Sequence, residues 1–216
     1  MDKLYYKFLS QIRYKTNTVR AKPYHKKRNH TPCYFFVCLL GFMGSGKTTF
    51  GKKLANSLNA IFIDTDSLIE EKEHMSIPSI FETRGEPYFR MLEYKTVQSI
   101  FTKTNVYTTN FKNKTSQCKN KWQQNIIIIS LGGGTIQATN IRKLFRSNAY
   151  KTLTIWLSCP LPIIKQRLFY TNNRPLFNAF RNSVKLNKLY KKRLRLYKSS
   201  KQITLYQKQT QNWSIP

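Results

Sequence analysis

Four side chains in the first third of the chain have types and spacing suited to phosphoryl transfer. Lys47 and Thr48 close the stretch "GFMGSGKTT", Gly41 to Thr49, which fits the pattern G-x-x-x-x-G-K-[ST]. Glycines let the backbone wrap phosphates closely, with its amides turned inward as a nest, and a helix opening behind the loop adds its positive end. Gly44, Ser45, Gly46, Lys47, Thr48 and Thr49 are therefore candidate nucleotide-binding residues. The Lys47 ammonium reaches the β- and γ-phosphates in such a loop, and the Thr48 hydroxyl is a direct Mg²⁺ ligand. A nucleoside triphosphate and Mg²⁺ are expected from this motif; the phosphate acceptor is not named by it.

Asp64 and Asp66, in "DTDSLIE", supply the missing chemistry. They leave the C-terminal end of a short apolar run, "IFI", where an open parallel sheet binds its ligands. A carboxylate pair at i and i+2 leaving a strand can face one cleft. One acid can serve Mg²⁺ through water, since that ion keeps part of its hydration shell. The other can hold an acceptor hydroxyl and take its proton. The competing use is capping of a helix that starts at Ser67 or Leu68.

Residues of this kind need rigid elements beneath them. "YFFVCLL" before the glycine loop is a continuous apolar run, as expected of a strand buried on both faces. "KTTFGKKLANSL" follows as a helix. "SIPSIFETRGE" has Ser76 as an N-cap and stops near Gly85, and "PYFRMLEYKTVQSIF" forms the next helix. "NIIIIS" and "TLTIWL" are β-rich strands, and "PLPIIKQRLF" is a helix with proline at its start. This βαβα order implies an α/β three-layer sandwich with a central parallel five-stranded sheet and a lid segment.

Charge is distributed unevenly. Eight of the nine acidic residues fall between Asp64 and Glu93, while 38 Lys and Arg give a net charge of +29. Such a balance suits polyanions, but an AT-rich coding bias toward Lys, Asn, Ile, Tyr and Phe would produce it too. Cys33, Cys38, Cys118 and Cys159 have no metal-ligand spacing, so reduced thiols are expected. No apolar run reaches the roughly 20 residues of a membrane span.

From about Leu39 to about Tyr197 the sequence resembles the shikimate kinases. The resemblance is carried by "GFMGSGKTTFGKKLA", "DTDSLIE", "IFETRGEPYFRMLE", "ISLGGG", "IWL", "RPLF" and "RLRLY" in that order. It implies ATP-dependent phosphorylation of shikimate to shikimate 3-phosphate, in aromatic amino-acid biosynthesis. It implies Asp66 as the substrate-contacting acid and candidate base, and Asp64 on the Mg²⁺ side through water. Arg90 and Arg193 match the arginines that bind the substrate carboxylate, a task that suits bidentate guanidinium. Arg193 is chosen by its four-residue spacing to Tyr197, with Arg195 close by. Gly133, the middle of the triglycine, matches the substrate-contacting glycine. Arg174, in "NNRPLF", matches the lid arginine that reaches the ATP phosphates and, with Lys47, steadies the transferring group. Arg167 is placed near the adenine.

Three features depart from the family pattern. A polar insert occupies about 103–125, the lid reads "RPLF" rather than "RPLL", and the sequence after Tyr197 holds a possible strand, "QITLY", without a final helix. The expected organisation is a basic extension over 1–33 (disordered or transit-like), a kinase domain over 34–207 and a short tail over 208–216. A monomer acting on ATP and shikimate is expected, with no specific nucleic acid and no membrane partner. A degenerate inactive kinase homologue and a basic nucleic-acid-binding P-loop protein are the alternatives. The residue bias and basic N-terminal segment suit a plastid stroma; a bacterial cytoplasm is the alternative.

Overall fold

The computed structural model describes Ser10 and residues 34–102, 126–147, 150–169, 183–207 and 213–214. The basic extension over 1–33, the insert over 103–125 and the lid residue Arg174 lie outside the described residues. In chain order the elements are β1 (Phe35–Leu40), α1 (Lys47–Leu58), β2 (Ile61–Asp64), α2 (Thr65–Glu73) and α3 (Ile77–Thr102). There follow β3 (Ile126–Ser130), a 3-10 turn (Thr135–Gln137), α4 (Thr139–Arg146) and β4 (Lys151–Ser158). The last are α5 (Leu161–Phe169), α6 (Ser183–Ser200), β5 (Ile203–Gln207) and β6 (Trp213–Ser214).

The strand order is β2-β3-β1-β4-β5-β6. The expected five parallel strands are present, and the two-residue β6 adds an antiparallel edge beside β5. Alternation along β1 builds the three layers. Phe35, Val37 and Leu39 pack with Phe50, Leu54 and Leu58 of α1 on one face. Phe36, Cys38 and Leu40 pack with Val97 and Ile100 of α3, Ile141 of α4, Ile164 of α5 and Leu186 of α6 on the other. Period-2 side-chain direction in a strand makes this division unavoidable once both faces are covered. Cys38 and Cys159 are free and buried, and burial holds both thiols above their usual range.

Register brings the chemistry together. Asp64 of β2 lies opposite Ser130 of β3, and Ser130 lies opposite Leu39 of β1. The Leu131 amide continues this pairing with the Leu39 carbonyl at 3.2 Å. The acidic pair, the triglycine and the glycine loop therefore leave three neighbouring strands at one level, on the carboxyl edge of the sheet.

Several elements differ from the sequence reading. α2 begins at Thr65, ahead of Ser67, because Asp64 itself caps it. The break expected near Gly85 is present: α3 is two helical halves that meet at a kink there, where φ is 77° and ψ 170°. Ser76 does cap its start, accepting from the Ser79 amide at 3.3 Å. α4 and α6 are helices beyond those the sequence predicts; α4 starts at Thr139, and its N-cap residue Ala138 gives no side-chain cap, so no local start signal marks it. β5 contains "ITLY", and no helix follows it among the described residues.

Candidate active site

The glycine loop turns on left-handed backbone at Gly44 (φ 74°) and Gly46 (φ 84°), conformations that L side chains rarely adopt. Gly46 is the N-cap residue of α1, so the new helix starts at Lys47. Lys47 is buried and folds back into the loop, with Nζ donating to the Gly41 carbonyl at 3.0 Å and the Phe42 carbonyl at 3.1 Å. A buried ammonium solvated by the loop's own carbonyls is positioned to exchange those neutral acceptors for phosphate oxygens. The Ser45 amide bonds the Phe42 carbonyl at 3.1 Å, and the Ser45 hydroxyl is buried beneath the loop. Thr49 faces solvent. Arg167 reaches in from α5 and donates to the Gly44 carbonyl at 3.0 Å, fixing the loop from the side of the second layer.

Thr48 and Asp64 meet across the loop. The Thr48 hydroxyl donates to Asp64 Oδ2 at 2.6 Å, and Asp64 Oδ1 accepts from the Asp66 amide at 3.1 Å. Asp64 thus caps α2 and faces Thr48 at once, so the two uses weighed for it are compatible. A hydroxyl oxygen beside a carboxylate oxygen is the hard, all-oxygen donor type that suits Mg²⁺. Among the described residues no group of His, Cys, Asp and Glu offers a protein-only metal cage; Mg²⁺ bound with nucleotide needs none.

The triglycine forms the floor of a neighbouring cleft. Its glycines answer to space rather than to positive φ. A Cβ on Gly132 would lie 2.8 Å from Asp66 Oδ1 and against Glu93. On Gly133 it would lie 3.0 Å from the Met43 amide nitrogen and 3.6 Å from Arg193 Nη1, and on Gly134 it would strike Arg90. Asp66, Arg90, Gly133 and Arg193 therefore surround one turn, with the glycine loop adjoining it through Met43.

The two arginines differ in how they are held. Arg90 bonds Glu86 through Nη2 at 2.7 Å and Glu93 through Nη1 at 2.5 Å. Burial acts against the Arg90 charge, but the Glu93 and Glu86 carboxylates outweigh it and hold the guanidinium above its usual range. Glu93 is itself buried, with its other oxygen accepting from the Thr135 hydroxyl at 2.6 Å. Arg193 is 1% exposed, and its guanidinium lies 5.4 Å from the Phe42 ring. Its Nε has no hydrogen-bond partner among the described residues. Burial pulls Arg193 below its usual range, and nearby Arg90 acts in the same direction. Arg195 faces solvent, so helical phase separates the two candidates in "RLRLY".

Residues that the sequence reading did not assign a role complete the site. Thr65 is buried between the two acids; its hydroxyl donates to the Ser130 carbonyl at 3.1 Å and accepts from the Gly132 amide at 3.0 Å. Tyr197, four residues after Arg193, donates its hydroxyl to the Gly133 carbonyl at 2.6 Å. Burial pushes the Tyr197 phenol well above its usual range, so the hydroxyl stays protonated. The only sequence signals were the middle position of "DTD" and a tyrosine one helical turn after Arg193.

Comparison with known proteins agrees with the architecture. The family model described as shikimate kinase matches residues 43–109 and 107–215. A shikimate kinase of Sulfurihydrogenibium sp. (strain YO3AOP1) is 36% identical over 162 residues, covering 75% of this chain and 82% of that protein. One from Staphylococcus aureus (strain MRSA252) is 37% identical over 162 residues, covering 74% and 78%. Among solved structures, a shikimate kinase from Acinetobacter baumannii in complex with shikimate superposes with a TM-score of 0.63 at 28% identity, covering 82% of this chain and 85% of that one. One from Bacteroides thetaiotaomicron gives 0.62 at 25% identity, covering 82% and 91%.

Proposed function

The chain belongs to the shikimate kinase family, and we infer from that premise that it transfers the terminal phosphoryl group of ATP to the 3-hydroxyl of shikimate. The observation that carries the reading beyond family membership is Arg193. A buried guanidinium whose Nε has no hydrogen-bond partner among the described residues, beside a second arginine and above a floor of glycines, calls for a small anion. The shikimate carboxylate supplies that charge, and its ring hydroxyls suit the adjoining backbone amides.

In this reading Arg193 and Arg90 hold the carboxylate, and Gly133 holds a ring hydroxyl. Binding draws the Arg90 guanidinium partly from Glu86, its exposed partner, while buried Glu93 keeps it aimed. Asp66 accepts the proton of the 3-hydroxyl as that oxygen attacks the γ-phosphorus. The bond from phosphorus to the β,γ-bridging oxygen breaks as the new one forms, and ADP leaves. Lys47 turns from the Gly41 and Phe42 carbonyls to the β- and γ-phosphates. Gly44, Ser45, Gly46 and Thr49 contribute the surrounding loop, and Arg174, outside the described residues, is proposed as the lid cation. Thr48 would hold Mg²⁺ directly and Asp64 through water; the ion, when bound with ATP, neutralises phosphate charge. Catalysis is then positioning and electrostatics, with no covalent intermediate.

The working unit proposed is a monomer. The alternatives of a degenerate kinase and of a nucleic-acid-binding protein are not favoured. No helix among the described residues is long and apolar enough to cross a membrane. The relatives compared are bacterial; the plastid assignment rests on residue bias and on a basic segment outside the described residues.

The test is a coupled ADP-release assay with ATP, Mg²⁺ and shikimate. Shikimate-dependent turnover is expected, with kcat falling about 10²- to 10⁴-fold in Asp66→Asn, the range of a lost general base. Lys47→Met should abolish turnover with either substrate saturating. ADP release that ignores shikimate would sink the assignment.

A further inference from the structure

The triglycine turn has six backbone polar groups, and four are already engaged. The Gly132 amide donates to the Thr65 hydroxyl at 3.0 Å. The Gly132 carbonyl accepts from the Thr135 amide at 3.2 Å, and the Gly134 carbonyl from the Gln137 amide at 2.9 Å. The Gly133 carbonyl accepts from the Tyr197 hydroxyl at 2.6 Å. Only the amides of Gly133 and Gly134 form no hydrogen bond among the described residues. The turn is therefore presented to the cleft as donor-only.

Left to itself, a run of three glycines would not keep that presentation, because glycine has the widest choice of backbone conformations. Rotating the Gly133–Gly134 peptide unit would exchange the Gly134 donor for the Gly133 carbonyl acceptor. The Tyr197 hydroxyl opposes this rotation by holding the carbonyl from the α6 side. Tyr197 is itself held: it is buried, stacks on Trp156 with ring centroids 6.2 Å apart, and lies on the helix that carries Arg193. Thr65 acts from the opposite side. Its hydroxyl joins the Ser130 carbonyl to the Gly132 amide, and its own backbone is the residue before Asp66.

We propose that the Thr65 and Tyr197 hydroxyls are positioning residues that clamp the triglycine from two sides and keep the Gly133 and Gly134 amides facing the hydroxyls of the acceptor. Neither side chain touches the acceptor in this scheme. Thr65 sets the distance between the base Asp66 and the donor turn, and Tyr197 sets the turn against the carboxylate-binding Arg193. The clamp couples the three parts of the acceptor site to one another, and among the described residues neither hydroxyl bonds the nucleotide loop. This inference rests on shikimate as the acceptor.

The test compares Tyr197→Phe, Thr65→Val and Thr65→Ser with the unsubstituted protein, measuring KM for shikimate and for ATP separately. Turnover of shikimate by the unsubstituted protein is measured first; its absence would overturn the acceptor assignment and the clamp with it. Given turnover, Tyr197→Phe and Thr65→Val should each raise the shikimate KM about tenfold or more, since small misplacement of a binding group is costly. The ATP KM should stay within about twofold, and Thr65→Ser, which retains the hydroxyl, should recover most of the loss. An unchanged shikimate KM in both hydroxyl-removing variants, or a parallel rise of both KM values, would overturn the clamp while leaving the acceptor assignment standing. Two variants on different elements keep the result readable if one of them folds poorly.

Discussion

Arg193 shows how a single residue can trade stability against function. Its guanidinium is buried, and burial disfavours its charged form. Replacing a buried, incompletely compensated charge by an apolar side chain of similar length is often neutral or stabilising. Arg193→Met should therefore leave the thermal unfolding midpoint unchanged or higher. The same change should raise the shikimate KM about 10- to 100-fold, the equivalent of losing a charge-assisted hydrogen bond of about 1.5–3 kcal/mol. A fall in the midpoint with an unaltered KM would show that the arginine serves the fold instead. Asp64 makes a complementary point. Its carboxylate caps α2 with one oxygen and meets Thr48 with the other, so a structural and a ligand-facing use occupy different lone pairs of one group.

At the scale of elements, the bend in α3 decides where Arg90 points. Gly85 adopts φ 77° and ψ 170°, a region open almost solely to glycine. The bend lets Ile80 of the first half pack with Ile69 of α2 and Phe89 of the second half, which then runs along the sheet with Val97 and Ile100. Arg90 and Glu93 stand on the second half, facing the triglycine. A Cβ at Gly85 meets only Pro87 Cδ at 3.6 Å, so the cost of Gly85→Ala is conformational and not steric. Destabilisation of about 1–3 kcal/mol is expected in denaturant unfolding, with a raised shikimate KM. An unaffected midpoint would mean that the helix straightens without penalty. The sequence marked this break, since glycine inside a helical pattern is a known interruption, but the direction of the turn depends on what each half packs against.

Over the whole molecule, a net charge of +29 meets two anionic substrates. The described ion pairs, Arg84 with Glu73 and Arg90 with Glu86 and Glu93, engage two of the 38 Lys and Arg. Most of the positive charge is left to act as a field. Screening should weaken that field: raising salt from about 0.05 M to about 0.5 M shortens the Debye length from roughly 14 Å to roughly 4 Å. kcat/KM should fall, and fall further for ATP than for shikimate, because ATP carries more charge. Equal or absent salt effects on the two substrates would show that the excess charge is a coding bias without kinetic consequence.

Local chemistry made much of this protein legible from its sequence. The phosphate loop, the acidic pair, the triglycine and the βαβα order are each written in contiguous residues, because glycine freedom, helix starts and apolar runs act over short range. Tertiary structure decided what depends on register and helical phase. It placed Asp64, Ser130 and Leu39 at one level, turned Arg193 inward and Arg195 outward, and brought Tyr197 against Gly133 across 64 positions. Such contacts are set by the packing of helices on the two faces of the sheet, and no short stretch of sequence contains both partners.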